Sequence, residues 1–184
     1  MKKTLMVILT VLALLPAAAS AFELWIINPR GGIAFPLGQL GDNTSLSWNA
    51  GVSARKGFDR EIAAGGSISF ATMPYKVTSA PEPFACTILN AEFTFTPYLP
   101  DLFVWPYLKV GAGVFLVKYA AVTGTYPDYS TVMQDETAFG IILGGGVNYP
   151  VTNEIAANLE ILYNQASVQG GQGDNYNFLT FNLG

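Results

Sequence analysis

The sequence predicts an all-β chain, an eight-stranded antiparallel up-and-down transmembrane β-barrel. Three observations predict it: eight segments in which apolar residues alternate with small or polar ones, connections that alternate between short and long, and a composition that is 51% hydrophobic but only 12% charged over 184 residues. Alternation at period 2 marks a strand with two unlike faces. A charge content about half that of an ordinary soluble domain suits an exterior solvated by lipid.

Residues 1–21 stand apart from the barrel, which takes 22–184. Met1-Lys2-Lys3 is a basic start, residues 5–15 are almost wholly apolar, and Ala19-Ser20-Ala21 has the small-residue pattern of a cleavage site. The segment reads as a secretory signal peptide cut near Ala21. Its apolar run is shorter than the ~20 residues a spanning helix needs, and Pro16 interrupts it. Without Lys2 and Lys3 the exported chain keeps 7 basic and 13 acidic side chains. That balance, with no Lys/Arg stripe to neutralise phosphates, argues against nucleic acid as a partner. The chain has no histidine, which excludes Ser-His and Cys-His pairs and imidazole metal ligands. Its single cysteine, Cys86, leaves no internal disulfide to hold an exported fold.

The strands follow in order. The first, roughly 24–35, is the least regular: Pro29 cannot donate to a ladder and Gly31-Gly32 invites a bulge. In the second, Leu46, Trp48, Ala50, Val52 and Ala54 oppose Ser47, Asn49, Gly51, Ser53 and Arg55; in the third, Ile62, Ala64, Ile68 and Phe70 oppose Glu61, Gly65, Ser67 and Ser69. The fourth sets Leu89, Ala91, Phe93 and Phe95 against Asn90, Glu92, Thr94 and Thr96. The fifth is the clearest, with Leu108, Val110, Ala112, Val114 and Leu116 against Tyr107, Lys109, Gly111 and Gly113. The sixth sets Phe139, Ile141, Leu143 and Val147 against Gly140, Gly144, Gly146 and Asn148. The seventh sets Ile155, Ala157, Leu159, Ile161 and Tyr163 against Glu154, Ala156, Asn158 and Glu160. The eighth sets Leu179, Phe181 and Leu183 against Phe178, Thr180 and Asn182.

Connections decide what the strands build. Lys56-Gly57-Phe58-Asp59, Tyr98-Leu99-Pro100-Asp101 and Tyr149-Pro150-Val151-Thr152 read as short turns, whereas 36–45, 72–83, about 120–134 and 165–174 read as long polar loops. Short turns at one rim and loops at the other are the plan of an up-and-down barrel. The apolar face then meets lipid. The opposite face carries Gly, Ser, Asn and Thr with Arg30, Arg55, Glu61, Glu92, Lys109, Glu136, Glu154 and Glu160, too small and too poor in Lys for a solvated exterior, but suited to a narrow lumen. Aromatic residues fall in two bands: Trp25, Tyr98, Trp105 and Tyr149 near the turn rim, and Trp48, Phe70, Phe84, Tyr119, Phe139 and Tyr163 near the loop rim. Two such girdles flank the apolar belt of a membrane barrel.

Two stretches carry a family resemblance. Gly31-Gly32-Ile33-Ala34-Phe35-Pro36-Leu37-Gly38 resembles a first strand running into a Pro-Leu-Gly loop, and Pro106-Tyr107-Leu108-Lys109-Val110-Gly111-Ala112-Gly113 resembles a fifth strand, in small bacterial outer-membrane β-barrel proteins of the OmpA transmembrane-domain and OmpX kind. The resemblance spans 22–184 as a pattern. It implies residence in the bacterial outer membrane, contact with outer-membrane lipid, and delivery by the barrel insertion machinery. Such barrels usually end on a terminal aromatic; this sequence ends Asn182-Leu183-Gly184, so either the last few residues of the strand are missing from it or Phe181 stands in that role.

The chemistry-bearing residues are the lumen charges. Arg30, Arg55 and Lys109 can pair with Glu61, Glu92, Glu136 or Glu160 as an ionic network that plugs the barrel; the competing reading is an ion path. An eight-stranded interior is just wide enough for side chains, which favours the plug. Glu92 with Glu160 as a two-carboxylate hydrolase would need an accessible cleft that a plugged barrel lacks. Barrel enzymes of this resemblance use a catalytic His, absent here. Gly144-Gly145-Gly146 is followed by no Lys-Ser/Thr and so is no phosphate loop. Asn43-Thr44-Ser45 matches a glycosylation sequon by accident, and Cys86 is a small apolar filler. No catalytic residue, cofactor or metal is expected. The expected function is a structural or surface-interaction role without enzyme activity. Its long loops, among them Tyr126-Pro127-Asp128-Tyr129 and 170–174, would serve recognition of a surface ligand or envelope protein. The alternative is a soluble periplasmic or secreted β-barrel that binds a hydrophobic ligand.

Overall fold

Period-2 alternation carries straight into the backbone. The computed structural model describes residues 25–76, 82–99, 101–123, 130–152, 154–167 and 175–184; the segment expected to be a signal peptide, most of the 72–83 loop's second half, Tyr126 to Tyr129 and the 170–174 tip lie outside them. The elements are β1 (Trp25–Leu37), α1 (Gly38–Asn43), β2 (Ser47–Gly57), β3 (Ile62–Met73), β4 (Phe84–Phe95), β5 (Trp105–Thr123), β6 (Ser130–Pro150), β7 (Ala156–Ser167) and β8 (Asn175–Leu183). Each strand pairs antiparallel with its sequence neighbours and β8 returns to β1, closing an eight-stranded barrel. Closure leaves no sheet edge in the barrel wall, and its continuous ladders let the backbone satisfy itself in lipid.

Register is continuous through β1. Trp25 to Ala34 face Lys56 to Ser47 without interruption, so the bulge expected at Gly31-Gly32 does not form. Pro29 is tolerated because it lies below the end of β8, where β1 pairs with β2 alone. Side chains decide the turns at one rim. The Asp59 carboxylate accepts the backbone N–H groups of Glu61 and Ile62 at 2.8 and 2.7 Å, and the Thr152 hydroxyl accepts those of Glu154 and Ile155 at 3.2 and 3.0 Å. These are the Asx- and Thr-type turns that short polar side chains favour.

The connections depart from strict short–long alternation. β4 ends at Phe95 and β5 starts at Trp105, so the second turn is longer than expected. The third loop is shorter, because β5 and β6 run on as a ribbon in which Tyr119 to Thr123 pair with Gln134 to Ser130. That ribbon rises above the neighbouring wall, since β4 reaches only Lys118 of β5 and β7 only Phe139 of β6. The first loop contains α1, six residues whose Leu40 is buried in the barrel mouth. A helix of that length shows no periodicity in sequence; Gly38, the one described residue with positive φ (55°), turns the chain into it.

The faces are as the alternation predicts. Leu108, Val110 and Leu116 are exposed, as are Leu89, Phe93, Phe139, Ile141, Leu143, Leu159 and Ile161, whereas Lys109, Glu92 and Glu160 are buried. An exterior of bare Leu, Ile, Val and Phe is the reverse of a soluble barrel, and each charge placed there at midplane would cost roughly 2–4 kcal/mol for Arg or Lys. Trp25, Trp48, Tyr98, Trp105 and Tyr149 all point outward and exposed; Tyr163 is half-buried on the outward face of β7.

The interior differs from the uniformly polar lumen expected. Its turn-rim half is polar, but its loop-rim half is an apolar core of Ala34, Met73, Phe84, Cys86, Ile88, Phe115, Val117, Ala138, Ile142, Leu162, Ala166 and Phe178, capped by Leu40. Tyr119 and Phe84 therefore leave the girdle: Tyr119 shares the inward parity of Phe115 and Val117 and packs on this core, and Phe84 is 1% exposed within it. Each of the three buried phenylalanines removes enough apolar surface to contribute about 1.5–3 kcal/mol.

Candidate functional site

The polar tier is built from strands facing one another across interior glycines. Arg55, Gly65 and Glu92 lie side by side on β2, β3 and β4, and Tyr107, Gly146 and Glu160 do so on β5, β6 and β7. In each row the middle residue has no side chain, so its neighbours meet above it. A Cβ at Gly146 would lie 2.9 Å from the Tyr107 hydroxyl oxygen and 2.2 Å from the Leu159 carbonyl oxygen. Glycine at these positions is therefore a spatial requirement of the cluster.

Five charges meet there. The Arg30 guanidinium is 3.1 Å from Glu160 Oε1, Arg55 Nε is 3.5 Å from Glu92 Oε1, and Lys109 Nζ is 3.6 Å from Glu92 Oε2 and also contacts Glu160 Oε2. All five residues are at most 6% exposed. Lys109 thus links two ion pairs into one network. Neutral groups complete it: the Tyr107 hydroxyl donates to Glu160 at 2.8 Å, Asn182 Nδ2 donates to Glu160 at 3.5 Å, and Asn158 Nδ2 donates to the Tyr107 hydroxyl at 3.0 Å. Arg30 also donates to the Ser67 hydroxyl at 3.1 Å, and Ser67 donates to Asn90 Oδ1. The Tyr107 ring lies 5.8 Å from the Arg55 guanidinium and 5.9 Å from the Lys109 ammonium, a distance at which its π face attracts both.

Of the charges expected in the lumen, Arg30, Arg55, Glu92, Lys109 and Glu160 come together. Glu61 stays half-buried before β3 at the turn rim and Glu154 is exposed in the turn before β7. Glu136 sits at the loop rim, where its carboxylate accepts from the Tyr176 hydroxyl at 3.4 Å. The apolar tier separates it from the cluster. Sequence reading placed Tyr107 on the inward face but missed its part in the network, along with Asn158, Asn182, Ser67 and Asn90. The signal lies in the register, which sets Tyr107 and Glu160 on either side of Gly146.

At the mouth, Tyr75, Tyr119 and Tyr176 pack on the apolar tier. The Tyr75 hydroxyl oxygen accepts the Ala120 N–H at 2.8 Å, and burial pushes its pKa above the usual phenol value. Thr44 bridges to Tyr75, while the Lys76 ammonium donates to the Gly41 carbonyl at 2.6 Å, tying α1 down over the opening. The described residues contain no group of three or more Cys, Asp or Glu placed to hold a metal.

Comparison with known proteins agrees with this architecture. No curated protein matches the chain. Among solved structures it is similar to Neisserial surface protein A (NspA), at 17% identity over 86% of this chain and 93% of that one, with a TM-score of 0.56. It also aligns with Ail, the attachment invasion locus protein of Yersinia pestis, at 15% identity over 89% and 98% of the two chains and a TM-score of 0.48. For the N-terminal β-barrel domain of Pseudomonas aeruginosa OprF the identity is 17% over 85% and 96%, with a TM-score of 0.41. The likeness to NspA is one of fold. Residues 5–184 match the outer membrane protein beta-barrel domain, and the chain belongs to that family of outer-membrane barrels.

Proposed function

We propose that the protein is a closed, non-enzymatic barrel of the bacterial outer membrane with a structural or surface-interaction role, exported by a signal peptide cut near Ala21 and placed by the barrel insertion machinery. The observation that carries this reading is the filled interior: an ionic tier over which an apolar tier of Phe84, Phe115 and Phe178 is packed. Water-filled passage would need both tiers to part. The carboxylates that might act as acid and base, Glu92 and Glu160, are occupied by cations and enclosed. That supports a plug over a hydrolase, for which substrate must reach both groups.

Recognition then falls to what stands above the wall. The β5–β6 ribbon lifts paired backbone beyond the barrel and presents the Lys118–Glu82 pair at its base, 2.5 Å apart and exposed. A rigid barrel carrying a projecting ribbon is the kind of scaffold on which binding surfaces are displayed. The test combines planar-bilayer conductance with labelling of cysteines placed in the loop-rim connections of intact cells. A closed barrel gives no large steady conductance, and loop cysteines label while buried Cys86 does not. Large steady conductance, or freely soluble protein without detergent, overturns the reading.

A further inference from the structure

The ionic tier is unbalanced. Three cations, Arg30, Arg55 and Lys109, face two carboxylates, Glu92 and Glu160, and these are the only charged side chains buried among the described residues. An uncompensated unit charge inside a narrow barrel surrounded by lipid is strongly unfavourable. Water relieves hydrogen-bonding needs, but it leaves the surplus charge in place.

Beside the cluster lies a row of donors. Asn28 faces Ser53, Ser53 faces Ser67, and Ser67 faces Asn90, so four short polar side chains span β1 to β4 at one level. All four are buried. Ser67 is engaged, accepting from Arg30 and donating to Asn90 Oδ1. That last bond fixes the Asn90 amide with its NH2 group turned away from Ser67. Asn90 Nδ2, Asn28 Nδ2 and the Ser53 hydroxyl are buried without a hydrogen-bond partner among the described residues. Arg30 enters this row through Ser67, and Arg55 follows Ser53 by two residues on the same inward face of β2. Asn28 and Ser53 face each other between Arg30 and Arg55 along β1 and β2, while Asn90 Nδ2 turns towards Gly111 of β5.

We propose that the ionic tier binds one small monovalent anion of the halide class, held by Arg30 and Arg55 and by the Asn28 and Ser53 donors. One negative charge balances three cations against two carboxylates, and amide and hydroxyl donors complete its shell as they do for anions elsewhere. A divalent anion would reverse the imbalance, and the width of an eight-stranded interior excludes larger ones. The proposal rests on the closed-barrel reading and makes the anion an internal part of the plug.

The test uses full-length protein purified from membranes in detergent. Thermal unfolding is followed at constant ionic strength with chloride exchanged for gluconate, which is too large to enter. The midpoint is expected to fall by several degrees as chloride is withdrawn. Asn90→Asp supplies the missing carboxylate in the same row and is expected to abolish that dependence. Should this variant fail to fold, bromide soaked into wild-type crystals gives a separate readout: an anomalous peak between Arg30, Arg55 and Ser53. Equal midpoints in the two salts, chloride dependence surviving in folded Asn90→Asp, or bromide peaks only outside the lumen each overturn the proposal. Failure of the plug itself shows separately as large steady bilayer conductance.

Discussion

Arg30 reaches Glu160 at 3.1 Å although 130 residues separate them in sequence, and the pair spans β8, the strand that closes the barrel between β1 and β7. The bond therefore ties the first strand to the seventh over the seam. Glu160 also neutralises Lys109. Glu160→Gln keeps a group able to meet Tyr107 and Asn182 but leaves Glu92 as the one buried carboxylate, among the described residues, for Arg30, Arg55 and Lys109. Breaking a buried pair in this way costs about 3–5 kcal/mol. Urea unfolding of the variant in detergent should show a clearly lower midpoint, and Arg30→Gln in the same chain should recover part of the loss, because the two changes remove one interaction.

Tyr107→Phe tests the neutral half of the network. The ring stays, and with it the attraction for Arg55 and Lys109. What goes is the hydroxyl that donates to Glu160 at 2.8 Å and accepts from Asn158 at 3.0 Å. Leaving a buried amide donor and a carboxylate lone pair unmatched costs about 1–3 kcal/mol. The variant should fold to the same barrel with a midpoint between those of wild type and Glu160→Gln; an unchanged midpoint would show that water replaces the hydroxyl.

Alternation made the wall legible but not the whole interior. Leu108 to Leu116 announce a lipid face because their alternate neighbours are Lys109, Gly111 and Gly113. Above that level both parities turn apolar: Phe84, Cys86 and Ile88 inside with Leu89 outside, and Phe115 and Val117 inside with Leu116 outside. A strand with lipid on one face and core on the other loses its period, as buried parallel strands do. The upper tier and Tyr119's inward turn were hidden for that reason. The five-charge cluster was legible as composition, since Arg30, Arg55, Glu92, Lys109 and Glu160 share the inward parity. Their pairing was not, because it depends on register. A shift of one residue reverses every side chain, and turn geometry sets the shift.

Gly140 tests the packing between tiers. A Cβ built there would lie 2.2 Å from the Gln165 carbonyl oxygen and 2.5 Å from the Phe115 ring. Phe115 is fully buried in the apolar core and cannot swing aside freely. Gly140→Ala should therefore cost about 1–3 kcal/mol through overpacking. Gly31→Ala is the control: its new methyl would come no closer than 3.9 Å to Asn49 O, and the change should leave stability equal or raised by about 0.4–1 kcal/mol. Heat-dependent gel mobility, which separates folded from unfolded barrels, reads both.

Ala112 tests the lipid face. It is exposed on β5 and lies opposite Ala91 on β4 and Ile141 on β6, midway along the belt. Ala112→Arg places a charge there and should cost roughly 2–4 kcal/mol in a bilayer. In a water-soluble barrel the same change would be nearly neutral. Folding yield into lipid vesicles against urea concentration distinguishes the two.

Cys86 reports on the closure of the apolar tier. It is fully buried, points inward from β4 among Phe84, Ile88 and their neighbours, and has no disulfide. A maleimide must pass α1 and the Tyr75, Tyr119 and Tyr176 cluster from one rim, or the ionic tier from the other, to reach it. Folded protein in detergent should remain unlabelled by mass over hours and label fully once unfolded. Leu40→Ala removes the buried side chain by which α1 enters the mouth. Faster labelling of Cys86 in that variant, with the barrel still folded, would identify the loop rim as the route by which the tier opens. Unaltered protection would place the barrier in the strands' own side chains.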